Sequence, residues 1–469
     1  SLMKTKYFIA SAVCLFFLSC QKEQLELSQP KNNTSTFSQS SIYNKENPNE
    51  EVTYLSSEGQ YTFVVKAGKA TTEAGVVALN SSAMAKIVKE YNNFKGVTDY
   101  TLLPSDNYSF SGDSFNQGAT EAEAKLTIKN LSSLNYGSYL LPLKVSMGNS
   151  QVFHMVILNK DSEYSPITET SKKPMPPATY SCANRTEPMK MIAYVETNDW
   201  DIRNMGQFIL KNSKKPVFDI VILFAPNMNY NVQTGKRTLF FNDKLEPIVN
   251  DPNKYIKPLK DRGIKVLATI LPNHQGVGYF NFQNYEEALE FARECKVWAD
   301  KLGLDGYDID EEYAEYYKLP SKPYTGEQSI FWFMRAMKEV MPDKLLSLYD
   351  FGHSLGTDAV DELGKHVADY VDYSWANYNE RHGSYAGLPN ERYASYSIEA
   401  NRYWSMLNTN YNATYNLSNC YGGLMFFNIN GTQIKSGKTA TDLSRATNLF
   451  YGEDTVFSGK YHKGPKDGK

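Results

Sequence analysis

The stretch Gly303-Leu304-Asp305-Gly306-Tyr307-Asp308-Ile309-Asp310-Glu311-Glu312-Tyr313 decides how the rest of the chain is read. It opens apolar, reads as a strand, and then delivers carboxylates at 308, 310 and 312. Side chains along a strand repeat their direction every two residues, so Asp308, Asp310 and Glu312 share one face while Tyr307, Ile309 and Glu311 take the other. Three acids on one face are costly unless a site uses them. Like charges raise one another's pKa and can keep one carboxyl protonated near neutral pH. A protonated carboxyl beside an ionised one is the pair that glycosidic-bond cleavage requires. The pattern casts Glu312 as a general acid whose state its neighbours set.

Around this stretch strands and helices alternate, the grammar of a parallel α/β sheet. Strands are expected at 191–196, 217–224, 264–271, from Leu304, at 344–349, at 370–375 and at 422–427. Most are nearly continuous apolar runs, as in a sheet buried on both faces. Ala288, Ala292, Cys295, Ala299 and Leu302 form a helical stripe that Gly303 stops. Thr325 and Gln328 suggest a capping box, with Ile330, Phe333, Met334, Met337, Val340 and Met341 as the buried face behind it. These stripes are core, not a cofactor box. About 270 residues of such units fit a (β/α)8 TIM barrel, irregular near a seventh strand placed at Ala394 to Ile398, with one outer helix missing.

Catalytic residues of such barrels stand at the C-terminal ends of strands. The polar groups collect there: Glu196-Thr197-Asn198 after the first, Asn227 and Asn229 after the second, Asn273-His274-Gln275-Gly276 after the third, Trp375-Ala376-Asn377-Tyr378 after the sixth, and Asn428 after the last. The acids could instead hold a divalent cation, but no paired His accompanies them and the spacing is not that of a calcium loop. No metal and no cofactor is expected.

Asp305-Gly306-Tyr307-Asp308-Ile309-Asp310-Glu311-Glu312 resembles the Asp-Gly-x-Asp-x-Asp-x-Glu signature of glycoside hydrolase family 18. Tyr194 to Asn198, Phe224 to Tyr230, Leu271 to Phe282 and Asp310 to Tyr316 are similar to the endo-β-N-acetylglucosaminidase H group within it. The resemblance spans roughly 190–430. The paired-glycine third-strand motif of chitinases is absent. The resemblance implies a retaining reaction in which the substrate's own acetamido group is the nucleophile. Glu312 would be general acid and then base, Asp310 would orient the acetamide, and Asp308 would share a proton with Asp310. Tyr378 matches the sixth-strand tyrosine that contacts the acetamide, with Asn377 as the near alternative. Glu196, Asn227, Asn229, Asn273, His274, Gln275, Asp305, Trp375, Asn377 and Asn428 are the expected substrate contacts. Expected is cleavage of the core GlcNAc–GlcNAc bond of N-linked glycans, of high-mannose or hybrid type. A chitinase and a non-catalytic glycan-binding lipoprotein are the alternatives, and the presence of Glu312 favours an enzyme.

The rest of the chain frames this domain. Of 469 residues, 41% are hydrophobic and 22% charged, and the net charge is −3. That length suits two or three domains, and the charge excludes a basic nucleic-acid binder. From Met3, a charged start (Lys4, Lys6) and an apolar run from Tyr7 to Leu18 form a secretory signal. It ends Phe17-Leu18-Ser19-Cys20, which resembles a bacterial lipoprotein box and would make Cys20 the lipidated residue, anchoring the protein in an outer membrane at the cell surface. A plain cleaved signal is the alternative. Residues 1–20 are thus assigned to the signal, 21–50 to a flexible tether, 51–162 to a small β-sandwich, 163–188 to a Pro-rich linker and 189–469 to the barrel. Residues 51–162 resemble an N-terminal domain of gut-bacterial surface glycan lipoproteins, through Leu103 to Tyr108 and Tyr139 to Leu143. A monomer is expected. Cys182, Cys295 and Cys420 lie far apart and in no metal-ligand spacing, so neither a disulfide framework nor a zinc site is expected.

Overall fold

The computed structural model describes residues 39–160, 172–177, 182, 185–351, 355–378 and 380–468. The signal segment with Cys20 and most of the tether lie outside the described residues. The chain divides into two units, 1–161 and 162–469.

The first unit is a β-sandwich. One sheet orders the strands Ser41–Asn44, Gly59–Lys66, Glu121–Ile128 and Tyr108–Gly112. The other orders Val52–Leu55, Ser150–Lys160, Gly137–Met147 and Ala78–Leu79. Phe63, Val65, Leu126, Leu141 and Leu143 close its core. The strand Ser41–Asn44 corrects the tether at 21–50: Ile42 is fully buried and pairs with Val65, so the domain begins at least ten residues earlier than its polar flank suggests.

The second unit is the parallel barrel. Its strands are β1 Lys190–Glu196, β2 Ile220–Phe224, β3 Lys265–Pro272, β4 Gly306–Ile309, β5 Leu345–Asp350, β6 Tyr373–Ala376, β7 in two pieces (Tyr393–Ala394 and Ser397–Glu399) and β8 Gly423–Phe427. They pair in chain order from β1 to β6, the first piece of β7 pairs with β6, and the second pairs with β8, which returns to β1. Alternation then sorts the side chains. Ile192, Tyr194, Ile222, Leu267, Trp375 and Met425 fill the lumen, whereas Ala193, Val221, Val266, Ile309 and Phe426 pack outward. The helix α1 Tyr285–Leu302 is capped by Asn284, whose side chain accepts from Glu287 N–H, and ends at Gly303 with φ 71°. The helix α2 Glu327–Val340 buries Ile330, Phe333, Met334 and Met337, but its N-cap is Gly326 without a side-chain bond. The expected capping box does not form, because Thr325 Oγ1 donates to Pro323 O instead.

Two features correct the sequence reading. Cys182 and Cys420 form a disulfide, which fastens the segment before β1 to the turn entering β8. Part of the 163–188 stretch is also pinned to the barrel: Lys173 Nζ donates to Asp219 Oδ2 at 2.7 Å, to Val217 O and to Tyr451 Oη.

Candidate active site

The site grows from β4. Gly306 sits so close to β5 that a Cβ there would lie 2.0 Å from Leu345 O, and this tight seam sets the register. The register places Asp308 between Thr269 and Ser347. Both hydroxyls donate to its carboxylate, Thr269 Oγ1 at 2.8 Å and Ser347 Oγ at 2.6 Å. Asp308 is wholly buried, and burial pushes its carboxyl up to about 7, opposed by those hydroxyls and by Tyr194.

The strand ends at Ile309, so Asp310 and Glu312 leave it at the barrel mouth. They are hydrogen-bonded to each other. Asp310 is 2% exposed, and burial, then the charges of Glu312 and Asp308, hold it well above the ordinary aspartate range. Glu312 is raised to about 7, mainly by burial. Glu311 points elsewhere, as the alternation requires. Its carboxylate accepts Tyr279 N–H at 2.9 Å and Tyr316 Oη–H at 2.5 Å, tying the β4 loop to the β3 loop. The result is a proton-sharing pair on a rigid ledge, with the ionised form disfavoured near neutral pH.

Opposite stands Tyr378, whose ring stacks on Phe427 with centroids 5.6 Å apart at 19°. Burial and the charges of Glu399 and Glu312 raise its hydroxyl pKa, with Arg402 opposing. Beneath them Trp375 Nε1 donates to Tyr194 Oη at 2.5 Å.

The remaining expected contacts separate. Glu196 ends β1 and is raised to about 7 by burial. A hairpin, Asn227–Asn231 with Lys236–Phe240, extends β3. Three amides lock it there: Asn227 Nδ2 donates to Leu271 O, Asn273 Nδ2 donates to Asn229 Oδ1 at 2.8 Å, and Gln275 Oε1 accepts Tyr230 N–H at 2.7 Å. His274, at φ 58°, is exposed, bonds Glu315 Oε1 through Nδ1 and donates its backbone N–H to Tyr313 O. Asn428 follows β8 at φ 62°, and its Oδ1 is buried with no partner among the described residues.

Two expectations are corrected, at Asp305 and Trp375, and Asn377 has a partner of its own. Asp305 precedes β4, at the end of the barrel away from the mouth, where Oδ2 accepts Val266 N–H at 2.9 Å. It secures the β3–β4 seam. Trp375 is 1% exposed and belongs to the lumen core rather than the rim. Asn377 Oδ1 is hydrogen-bonded to His382 Nε2, while the charge of Glu312 acts on the Tyr378 hydroxyl. The sequence reading missed Glu399 at the end of β7 and Tyr349 on β5, whose hydroxyl Asp310 acts on. The signal for Glu399 lay in Ser397-Ile398-Glu399, one alternation long.

This geometry agrees with comparisons against known proteins. Residues 31–152 match a family model described as an N-terminal domain. The chain is 31% identical over 276 residues to an endo-β-N-acetylglucosaminidase of Flavobacterium sp. (strain SK1022), covering 57% of this chain and 82% of that one. It is 31% identical over 282 residues to endo-β-N-acetylglucosaminidase F1 of Elizabethkingia meningoseptica, covering 58% and 80%. Among solved structures, EndoBT-3987 of Bacteroides thetaiotamicron with a Man5GlcNAc product superposes with a TM-score of 0.54 at 22% identity, over 91% of this chain and 97% of that one. With that fold, that acidic ledge and those relatives, the chain belongs to the endo-β-N-acetylglucosaminidases, glycosidases of the family 18 type.

Proposed function

We propose that the protein hydrolyses the β-1,4 bond between the two core N-acetylglucosamines of N-linked glycans, of high-mannose or hybrid type, with retention at the anomeric carbon. The observation that carries this reading is buried Asp310 paired with the partly exposed Glu312 at the barrel mouth, with Glu312 raised to about 7. A glutamic acid in that state holds a proton for the leaving oxygen at neutral pH. The acetamide oxygen of the substrate attacks the anomeric carbon, the bond to the leaving sugar breaks, and Glu312 gives that sugar its proton. Asp310 then faces the positive oxazolinium ion, and its high proton affinity lets it shift between sharing a proton and carrying charge. Water opens the ring and returns its proton to Glu312. Asp308, once ionised, adds to the burial and the Glu312 charge that keep Asp310 high, and Tyr378 steadies the acetamide. Relatives that share about a third of their residues with this chain and are named endo-β-N-acetylglucosaminidases support the bond assignment.

A panel of high-mannose glycoprotein, complex-type glycoprotein and chitin oligomers tests it. Wild type should release the high-mannose glycan, and Glu312→Gln should lose ~10²–10⁴ of that rate. Turnover of chitin alone, or full activity in Glu312→Gln, would refute the reading.

The same proposal places the enzyme on a membrane surface as a monomer, tethered by lipid on Cys20. The charged start, the short apolar run and the Leu18-Ser19-Cys20 ending support it. Detergent phase partitioning of the bacterially expressed protein should move from the detergent phase to the aqueous phase on Cys20→Ala.

A further inference from the structure

We propose that Glu399 is a specificity-determining residue of the cleft, accepting hydrogen bonds from sugar hydroxyls on the wall opposite Glu312. This rests on reading the barrel mouth as a glycan cleft. The position follows from the second piece of β7. Ser397–Glu399 runs parallel to β8, with Glu399 opposite Phe427, and Ser397 bridges Tyr378 on the other side. Ile398 is fully buried in the outer core, so alternation turns Ser397 and Glu399 toward the lumen. Glu399 is the last residue of the strand and therefore stands at its mouth end.

The surroundings suit a saccharide. Phe427, beside Glu399, meets Tyr378 in a stack and Phe224 edge-on at 5.1 Å. On the far side of β8, Glu196 ends β1. An aromatic wall flanked by two carboxylates combines an apolar surface for C–H groups with acceptors for paired hydroxyls, the two needs of a neutral sugar ring. In an eight-stranded barrel β8 lies across from β4, so this wall faces the Asp310–Glu312 ledge.

The alternative is a structural turn. Glu399 Oε1 accepts Asn401 N–H at 2.9 Å, which holds the chain as it leaves β7. One oxygen suffices for that bond. No salt bridge engages Glu399 among the described residues, and a buried acid without a counter-ion weakens the fold. Burial raises its pKa, opposed by the Asn401 N–H and by the charge of Arg402. A ligand that donates hydroxyls would relieve that cost.

Glu399→Gln keeps the shape and halves the acceptor capacity. Its KM for a neutral mannose-rich glycopeptide should rise ~10-fold while kcat falls less than ~3-fold. Calorimetry with a mannose-rich oligosaccharide ending in one GlcNAc should show ~10-fold weaker binding to Glu312→Gln/Glu399→Gln than to Glu312→Gln. A turn role alone would lower the melting temperature and leave KM and affinity unchanged, and that result overturns the proposal. A loss confined to kcat overturns it as well. If wild type fails to cleave yet binds the oligosaccharide, and Glu399→Gln weakens that binding, the cleavage reading falls and this one stands.

Discussion

Asp308 has three hydroxyls, from Thr269, Ser347 and Tyr194, and among the described residues no salt bridge, and its consequences can be measured. Below about pH 4 it is neutral whether folded or not. Between about 4 and 7 the unfolded chain ionises it while the folded chain keeps the proton, so the folded state binds more protons and loses stability as pH rises. Asp308→Asn removes this dependence. The stability of the variant relative to wild type should therefore climb by up to ~1.4 kcal/mol per pH unit between pH 5 and 7 and level off above. Denaturant midpoints at four pH values check it, and a flat difference would mean that Asp308 is ionised throughout. The same substitution removes one of the charges that raise Asp310. The basic limb of the kcat/KM profile should then move to lower pH, because the pair gives up its proton sooner. An unmoved limb would free Asp308 from that role. This acid run was legible in the sequence because its chemistry is local: four carboxylates within five residues need no knowledge of the fold. Asp305 was misread for the complementary reason. Motif membership says nothing about which end of a strand a residue occupies, and four residues of β4 separate Asp305 from the mouth.

At the scale of elements, the β3 and β4 loops act as one piece. His274 N–H and Gly276 N–H donate to Tyr313 O and Ala314 O, Tyr316 bonds both Glu311 and Phe280 N–H, and Tyr313 and Glu315 adopt left-handed backbone. Gly278 is a tight point: a Cβ there would lie 2.5 Å from Tyr316 Oη and 2.7 Å from Ala314 Cβ. Gly278→Ala should push Tyr316 off Glu311 and shift the ledge that carries Glu312. A displacement of that size costs up to ~10²-fold in kcat, read by steady-state kinetics, while the barrel itself stays folded by circular dichroism. Wild-type kcat in the variant would show that the interlock does not position the acid. The contacts between the two loops join residues some 30 to 40 positions apart, as does the strand pairing beneath them. The sequence showed the strands, because their apolar runs are long, but not the clamps between loops. The seventh strand shows the limit most clearly. Its two pieces are separated by Ser395-Tyr396, too short to display a period, and Glu399 disappeared with them.

Across the whole molecule, the disulfide ties together residues with a sequence separation of 238. No periodicity could announce it. Two cysteines so far apart look independent until β8 enters the barrel beside β1 and brings Cys420 to the segment that holds Cys182. Its place also fixes what it can affect. Cys420 precedes β8, so the bond lies at the end of the barrel opposite the Asp310–Glu312 ledge, which stands beyond the C-terminal end of β4. A cross-link closing so long a loop acts chiefly by restricting the unfolded chain, typically by ~2–4 kcal/mol. The double variant Cys182→Ala/Cys420→Ala should therefore lose about that much stability in chemical denaturation while its kcat/KM at 25 °C stays within a factor of two of wild type. Arg185 backs the disulfide by donating to Tyr421 O and Leu417 O, so the junction does not come apart when the sulfurs are removed. Wild type in reductant should fall to the stability of the double variant, and Cys295, which is fully buried in α1, should contribute nothing to that shift. A large loss of kcat/KM with little loss of stability would reverse the assignment and tie the closed end of the barrel to the chemistry at its mouth.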